Sequence, residues 1–288
     1  MRRLRRGFTL VEMLVVIGII LLLIGIATPM INRAYKTAVR TRMAADLQVI
    51  SMGLEAYKGD FKDYPRLDYA AWNASKTLPS PLNAPMPGAV LLCWSLVGPG
   101  PAVAPNTTTP GDGTDGLGFR TRGTSGQVYG PYIAVGRFKI FDVATPTANP
   151  VNDALCTIND RYGHPILYFA SGLGTNPTGP SGYVADWIPG SANPRPTFNA
   201  HDNINAFVQP PETTADTTTA LKRLRMMLGD KNHDGTLSPG EVQPANVPYL
   251  LWSPGTDEMY GPTFDMTAPD GDIAAKLSTV DDVTNFNP

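Results

Sequence analysis

The chain is poor in the side chains that usually carry out covalent chemistry, with two cysteines and three histidines in 288 residues. It has no Gly-x-Ser-x-Gly elbow, no His-Glu-x-x-His pair and no phosphate-binding glycine loop. His164 follows a turn glycine, His201 sits in a polar stretch and His233 falls inside an acidic loop, none of them beside a nucleophile motif. An enzyme is therefore not expected. Charged residues are sparse at 17%, with a formal net charge of -2. That near-neutral total conceals a gradient: residues 1–60 hold nine Lys/Arg against four Asp/Glu, and residues 230–288 hold two against ten. An acidic end repels phosphates and suits a divalent cation, so no nucleic-acid partner is expected for the folded part. Glycine and proline, by contrast, are abundant at 28 each and follow no Gly-X-Y period, which excludes both an all-helical protein and collagen.

Charge is missing altogether between Glu12 and Arg33. The twenty residues from Met13 to Asn32 would form a helix about 30 Å long, enough to span the hydrocarbon core of a bilayer. Arg2, Arg3, Arg5 and Arg6 precede it and Arg33, Lys36, Arg40 and Arg42 follow, so charge counting alone leaves the orientation open. A secretory signal would have a shorter apolar stretch followed by a small-residue cleavage site. Here the small residue at a boundary, Gly7, comes before the stretch. Thr9-x-x-Glu12 ahead of an apolar run also reads as a helix capping box, and Pro29 should weaken the helix locally.

The nonapeptide Arg6-Gly7-Phe8-Thr9-Leu10-Val11-Glu12-Met13-Leu14 resembles the processing site of type IV prepilins and of the related pseudopilins of type II secretion. The resemblance implies that a prepilin peptidase cuts after Gly7 and methylates the new terminus at Phe8. It also implies that Glu12 pairs with the free amine of a neighbouring subunit. The implied partners are other pilin or pseudopilin subunits, an inner-membrane assembly platform and the lipid bilayer. The implied location is a single pass through the inner membrane, with the C-terminal domain in the periplasm or on an extracellular filament. Glu12 would then turn an otherwise costly membrane carboxylate into an assembly signal.

Past the apolar run, Val39, Met43, Leu47, Ile50, Leu54, Tyr57 and Phe61 recur every three or four residues and predict an amphipathic helix with one apolar stripe. Residues 66–127 read as a connecting excursion with one apolar patch, Val90 to Trp94. The stretch from Val128 to Val143 reads as strands, as do Ile166 to Ala170 and Val247 to Trp252. The expected fold is α+β: a long N-terminal helix packed against a small antiparallel sheet with long Gly/Pro-rich loops. The expected divisions are a leader (1–7), a membrane and polymerisation helix (8–32), an amphipathic helix (33–65) and a globular domain (66–288) with insertions at 66–127 and 171–246. Three further segments resemble the major pseudopilin. They are Leu54 to Pro65, Asp160-x-Tyr162-Gly163-x-Pro165-x-x-Tyr168, and Leu250 to Asp257 followed by Asp281 to Asn285. The two insertions depart from that pattern.

Asp230-Lys231-Asn232-His233-Asp234-Gly235-Thr236-Leu237-Ser238-Pro239-Gly240-Glu241 fits a twelve-residue calcium loop. Asp230, Asn232, Asp234, the Thr236 carbonyl, Ser238 and Glu241 would supply the oxygens, and Gly235 the sharp turn. Ala220, Leu221, Leu224, Met227 and Leu228 predict a helix entering the loop, while Pro244 and Pro248 argue against one leaving it. The structureless alternative is a solvated acidic turn. A second calcium site falls around Asp257 and Asp265, with Ser253, Asp270 and Asp272 as weaker candidates and a solvated acidic loop as the alternative. Major pseudopilins are similar in holding calcium in this region. Cys93 and Cys156 are either a disulfide, permitted in an oxidising compartment, or two buried thiols. The function this implies is a structural filament subunit with a calcium-stabilised domain. The rival is a membrane-tethered, calcium-dependent binding protein that never polymerises.

Overall fold

The computed structural model describes residues 9–66, 86–97, 120–122, 127–142, 156–171, 184–185, 198–208, 217–230, 247–261 and 280–286. Two compact units, Met1–Arg42 and Met43–Pro288, divide the chain. The fold class is α+β, with a long apolar N-terminal helix and small antiparallel sheets.

Helix α1 (Leu10–Phe61) is 52 residues long. Its first turn is closed by the expected capping box. The Thr9 amide donates to Glu12 Oε2 at 2.8 Å, and the Glu12 amide donates back to Thr9 Oγ1 at 3.2 Å. Large apolar side chains from Leu10 to Ile31 stand exposed on all sides of the helix, Leu10 at 81% and Ile31 at 64%. A helix that is apolar all round needs lipid or other helices about it. Among the described residues, α1 is the one helix long and apolar enough to cross a membrane. Pro29 lies within it and the helix continues through.

In the second unit the apolar stripe goes where its periodicity predicts. Met43, Leu47, Ile50 and Leu54 are buried, and Tyr57 stacks on Phe61 with ring centroids 4.4 Å apart. Gly53 marks a close approach, since a Cβ there would lie 2.6 Å from Ile133 Cγ2. On the polar face Asp46 accepts two bonds from the Arg137 guanidinium, at 2.8 and 3.0 Å.

The apolar patch within the expected excursion is a helix, α2 (Pro87–Leu96). Pro87 opens it, where a missing N–H costs nothing, and nearly every residue is buried. Asn203, fully buried, ties it to the sheet. Its Oδ1 accepts from the Ala89 amide at 3.0 Å, and its Nδ2 donates to the Tyr168 carbonyl at 2.9 Å. Gly88 sits so close to the same carbonyl that a Cβ would overlap it and press on Asn203. Replacing Gly88 with Ala should therefore destabilise the domain by about 1–3 kcal/mol, the usual cost of overpacking. Thermal unfolding of the detergent-solubilised chain reads this as a lowered Tm, and an unchanged Tm would contradict the packing described.

The strands are short: β1 (Arg120–Arg122), β2 (Gln127–Tyr129), β3 (Lys139–Asp142), β4 (Cys156–Asn159), β5 (Leu167–Ala170), β6 (Val184–Ala185), β7 (Phe198–Asn199), β8 (Tyr249–Ser253) and β9 (Val283–Thr284). One sheet was expected, yet the described residues form a three-stranded antiparallel sheet, β5-β8-β9, and the two-stranded pairs β1-β2, β3-β4 and β6-β7. Between β2 and β3 the expected run of strand is broken by a 3-10 turn at Val135–Arg137, so the alternation from Arg137 to Ile140 belongs to a turn and then a strand. β8 is buried along its whole length, which is why its sequence is continuously apolar instead of alternating. Helix α3 (Thr217–Leu228) buries Ala220, Leu221, Leu224, Met227 and Leu228 in the core around Trp252. Phe207, Tyr260 and Phe286 meet the indole edge to face.

Candidate functional site

β8 leads into a loop at residues 254–261, and the pairing of β8 with β9 decides what lies beside it. The register Trp252↔Thr284 and Ser253↔Val283 places Asp281 and Asp282 next to that loop. Gly255, with φ of +76°, lets the two segments touch, since a Cβ there would overlap the Asp281 main chain. The Thr256 amide donates to Asp281 Oδ2 at 2.7 Å and the Thr256 hydroxyl donates to the same oxygen. Asp282 Oδ2 accepts from the Gly261 amide at 2.7 Å and from the Trp252 indole N–H at 2.8 Å. Asp257 Oδ1 accepts from the Met259 amide at 2.9 Å. One carboxylate oxygen from each of Asp257, Asp281 and Asp282 lies within 4.8 Å of the other two.

Burial and mutual repulsion disfavour the ionised forms of the carboxylates in this cluster. Asp282 is 8% exposed, and its Oδ1 has no hydrogen-bond partner among the described residues; the same holds for Asp281 Oδ1. Burial pushes Asp282 up to about 8, against the lowering effect of its two donors, and the Asp257 and Asp281 carboxylates add to the rise. Partial desolvation, with the Asp281 carboxylate beside it, also raises Asp257 above the ordinary carboxylate range. Three hard oxygens close together, two of their carboxylates carrying buried oxygens without donors, fit a calcium ion. Asp257 itself is exposed, whereas Asp282 is buried.

Asp257 is thus the residue of the second expected site that the described structure brings into a cluster. Asp265, Asp270 and Asp272 lie outside the described residues. Ser253 is engaged elsewhere, donating its hydroxyl to Asp160 Oδ2 at 2.8 Å. Asp160 Oδ1 accepts from the amides of Tyr162, Gly163 and His164, which shapes the turn before β5. That turn is fastened to the acidic loop twice more. The Tyr260 hydroxyl donates to the Pro165 carbonyl, and His164 Nε2 lies 3.2 Å from Glu258 Oε2. Asp281 and Asp282, the other two members of the cluster, were not among the expected site residues. The signal available was their adjacency in a segment resembling the pseudopilin C-terminal region, but only the β8–β9 register brings them to Asp257.

Of the twelve-residue loop, the described residues reach Asp230. The helix expected to enter it is present as α3. It ends at Gly229, with φ of +118°, and the Asp230 amide donates to the Arg225 carbonyl at 3.0 Å. Asp230 is buried. Asn232, Asp234, Thr236, Ser238 and Glu241 lie outside the described residues, as do Gly7 and Phe8. Cys93 on α2 and Cys156 on β4 are brought together, Sγ to Sγ at 3.1 Å.

A family model described as the prokaryotic N-terminal methylation motif matches residues 2–28. No curated protein and no solved structure matches the chain. The match covers Gly7, Phe8 and Glu12 together with most of the exposed apolar part of α1. This N-terminal segment is a methylation motif of the prepilin type, consistent with a type IV pilin-like or pseudopilin precursor.

Proposed function

We propose that the protein is a structural subunit, pilin or pseudopilin, of a type II secretion or type IV pilus-like filament, with calcium stabilising its globular domain. The observation that carries this reading is a methylation motif on a helix whose apolar residues are exposed all round. Such a helix is stable in lipid, and it leaves lipid without exposing hydrocarbon if neighbouring helices take the place of the acyl chains. Prepilin peptidase would cut after Gly7, leaving an amine on Phe8. Glu12, already gathered to Thr9 at the head of the helix, is one turn from that new terminus and presents its carboxylate to the amine of the next subunit. Outside the bilayer, Asp257, Asp281 and Asp282 would hold calcium, which neutralises their mutual repulsion and fastens the last strand to the β8 loop. Asp230 and the rest of the twelve-residue loop would hold another ion.

Mass spectrometry of the N-terminal peptide from sheared extracellular and membrane fractions tests this directly. A peptide beginning at methylated Phe8 in the sheared fraction is the expected result. An uncut chain confined to the membrane fraction refutes the filament and leaves the tethered binding protein.

A further inference from the structure

We propose that Cys93 and Cys156 form a disulfide in the mature protein, and that the bond is made before the core closes over it. The two sulfurs sit 3.1 Å apart and the residues are 63 positions apart in sequence. One side chain comes from α2 and the other from the first residue of β4, two elements that pack on each other inside the second unit. A disulfide needs its sulfurs at about 2.05 Å, so the remaining gap is about 1 Å, within reach of small rotations of two short side chains. Both residues are 0% exposed.

That burial sets the order of events. Oxidation removes two electrons and two protons from the pair, and a disulfide-bearing oxidant, protein or small molecule, must receive them. One cysteine thiolate attacks the oxidant's disulfide, forming a mixed disulfide and releasing one thiolate. The second cysteine then attacks the mixed disulfide, forming the Cys93–Cys156 bond and releasing the oxidant's other sulfur. An oxidant of any size cannot reach sulfurs that are fully covered. The exchange therefore happens while α2 and β4 are still unpacked, and packing afterwards shields the bond from reductants.

The inference rests on the proposed placement of this domain beyond the inner membrane, where thiol oxidation is favoured. Its test uses the full chain from sheared or membrane fractions, with a maleimide-polyethylene glycol reagent as the thiol probe. In denaturant without reductant no adduct is expected, and after reductant in denaturant two are expected. Two adducts without reductant would overturn the disulfide. Native protein treated with reductant and then probed should give none, and adducts there would overturn the shielding. In Cys93→Ser and Cys156→Ser the surviving thiol should react in unreduced denaturant, and a surviving thiol that stays unreactive would overturn the pairing of these two residues. The N-terminal peptide of the same sample separates the two readings. A chain beginning at Phe8 with both thiols reactive overturns the bond alone, whereas one beginning at Met1 with no adduct supports the bond and overturns the filament.

Discussion

Substituting Glu12 with Ala should abolish filament formation while the chain remains folded and in the membrane. Two interactions depend on this carboxylate, and they are separable. The first is the capping box, in which Glu12 Oε2 receives the Thr9 amide and hydroxyl, both at 2.8 Å. Losing a cap typically costs about 1 kcal/mol, which a 52-residue helix held by lipid tolerates. The second is the proposed pairing with the Phe8 amine of the neighbouring subunit in a water-poor setting. Breaking such a pair leaves a buried charge and costs about 3–5 kcal/mol. Each 1.4 kcal/mol is about a tenfold change in an equilibrium, so the loss at every joint amounts to roughly a hundredfold or more. Glu12→Gln discriminates between the two, because glutamine serves in a capping box but carries no charge. Both variants should give membrane-inserted chains and no sheared filaments. Normal filament yield from Glu12→Gln would show that the cap matters and the pairing does not.

Removing calcium should lower the Tm of the globular domain, and by more at high pH than at low. Saturation at about a hundred times Kd contributes about 2.7 kcal/mol, which for a domain of this size is about 5–10 °C. The pH dependence follows from Asp282. Its folded-state value near 8 stands above its ordinary 3.8 because the carboxylate is buried beside two others. Without calcium, the folded protein keeps a proton there that the unfolded chain releases. The contribution of Asp282 to stability is therefore fully present below about pH 4 and is lost as pH rises toward 8. Calcium takes the place of that proton, so the gap between calcium-loaded and chelated Tm widens across the same window. Asp282→Asn should remove most of this pH dependence and most of the calcium response of the site. Asp230→Ala or Glu241→Ala should leave the pH dependence intact and remove a separate share of the calcium stabilisation. A chelated Tm that does not fall with pH would count against calcium at the Asp282 cluster.

Local patterns made some parts of this molecule legible and hid others. The long apolar helix follows from an uncharged run and its capping box from Thr9-x-x-Glu12, while the stripe from Met43 to Leu54 follows from periodicity, because burial of a helix face imprints its 3.6-residue repeat. The same holds for α3, whose five expected core residues are all buried. β5 and β8 were readable as short apolar runs between turn residues. Val90 to Trp94 was read only as an apolar patch in a connecting stretch, because a five-residue apolar run carries no period that separates strand from helix. There Pro87 at the first helical position was the better guide. The cysteine pair was open on sequence grounds, and packing of α2 on β4 brings the sulfurs together. The acidic cluster was half visible. Asp257 stood in a suggestive loop, but its companions are more than twenty residues away and are supplied by strand register, which local chemistry does not encode.

The hydrogen bond from the Tyr132 amide to the Leu96 carbonyl, 2.7 Å long, means that the chain leaves α2 and comes back to the same spot. Whatever lies between those roots begins and ends at one doorway. Because closure entropy grows only with the logarithm of loop length, this stretch is free to lengthen or shorten over evolutionary time at little expense to the core. Length can thus change between these two residues while the contact that closes the stretch is kept, and an imaging epitope inserted between them should leave the rest of the domain folded.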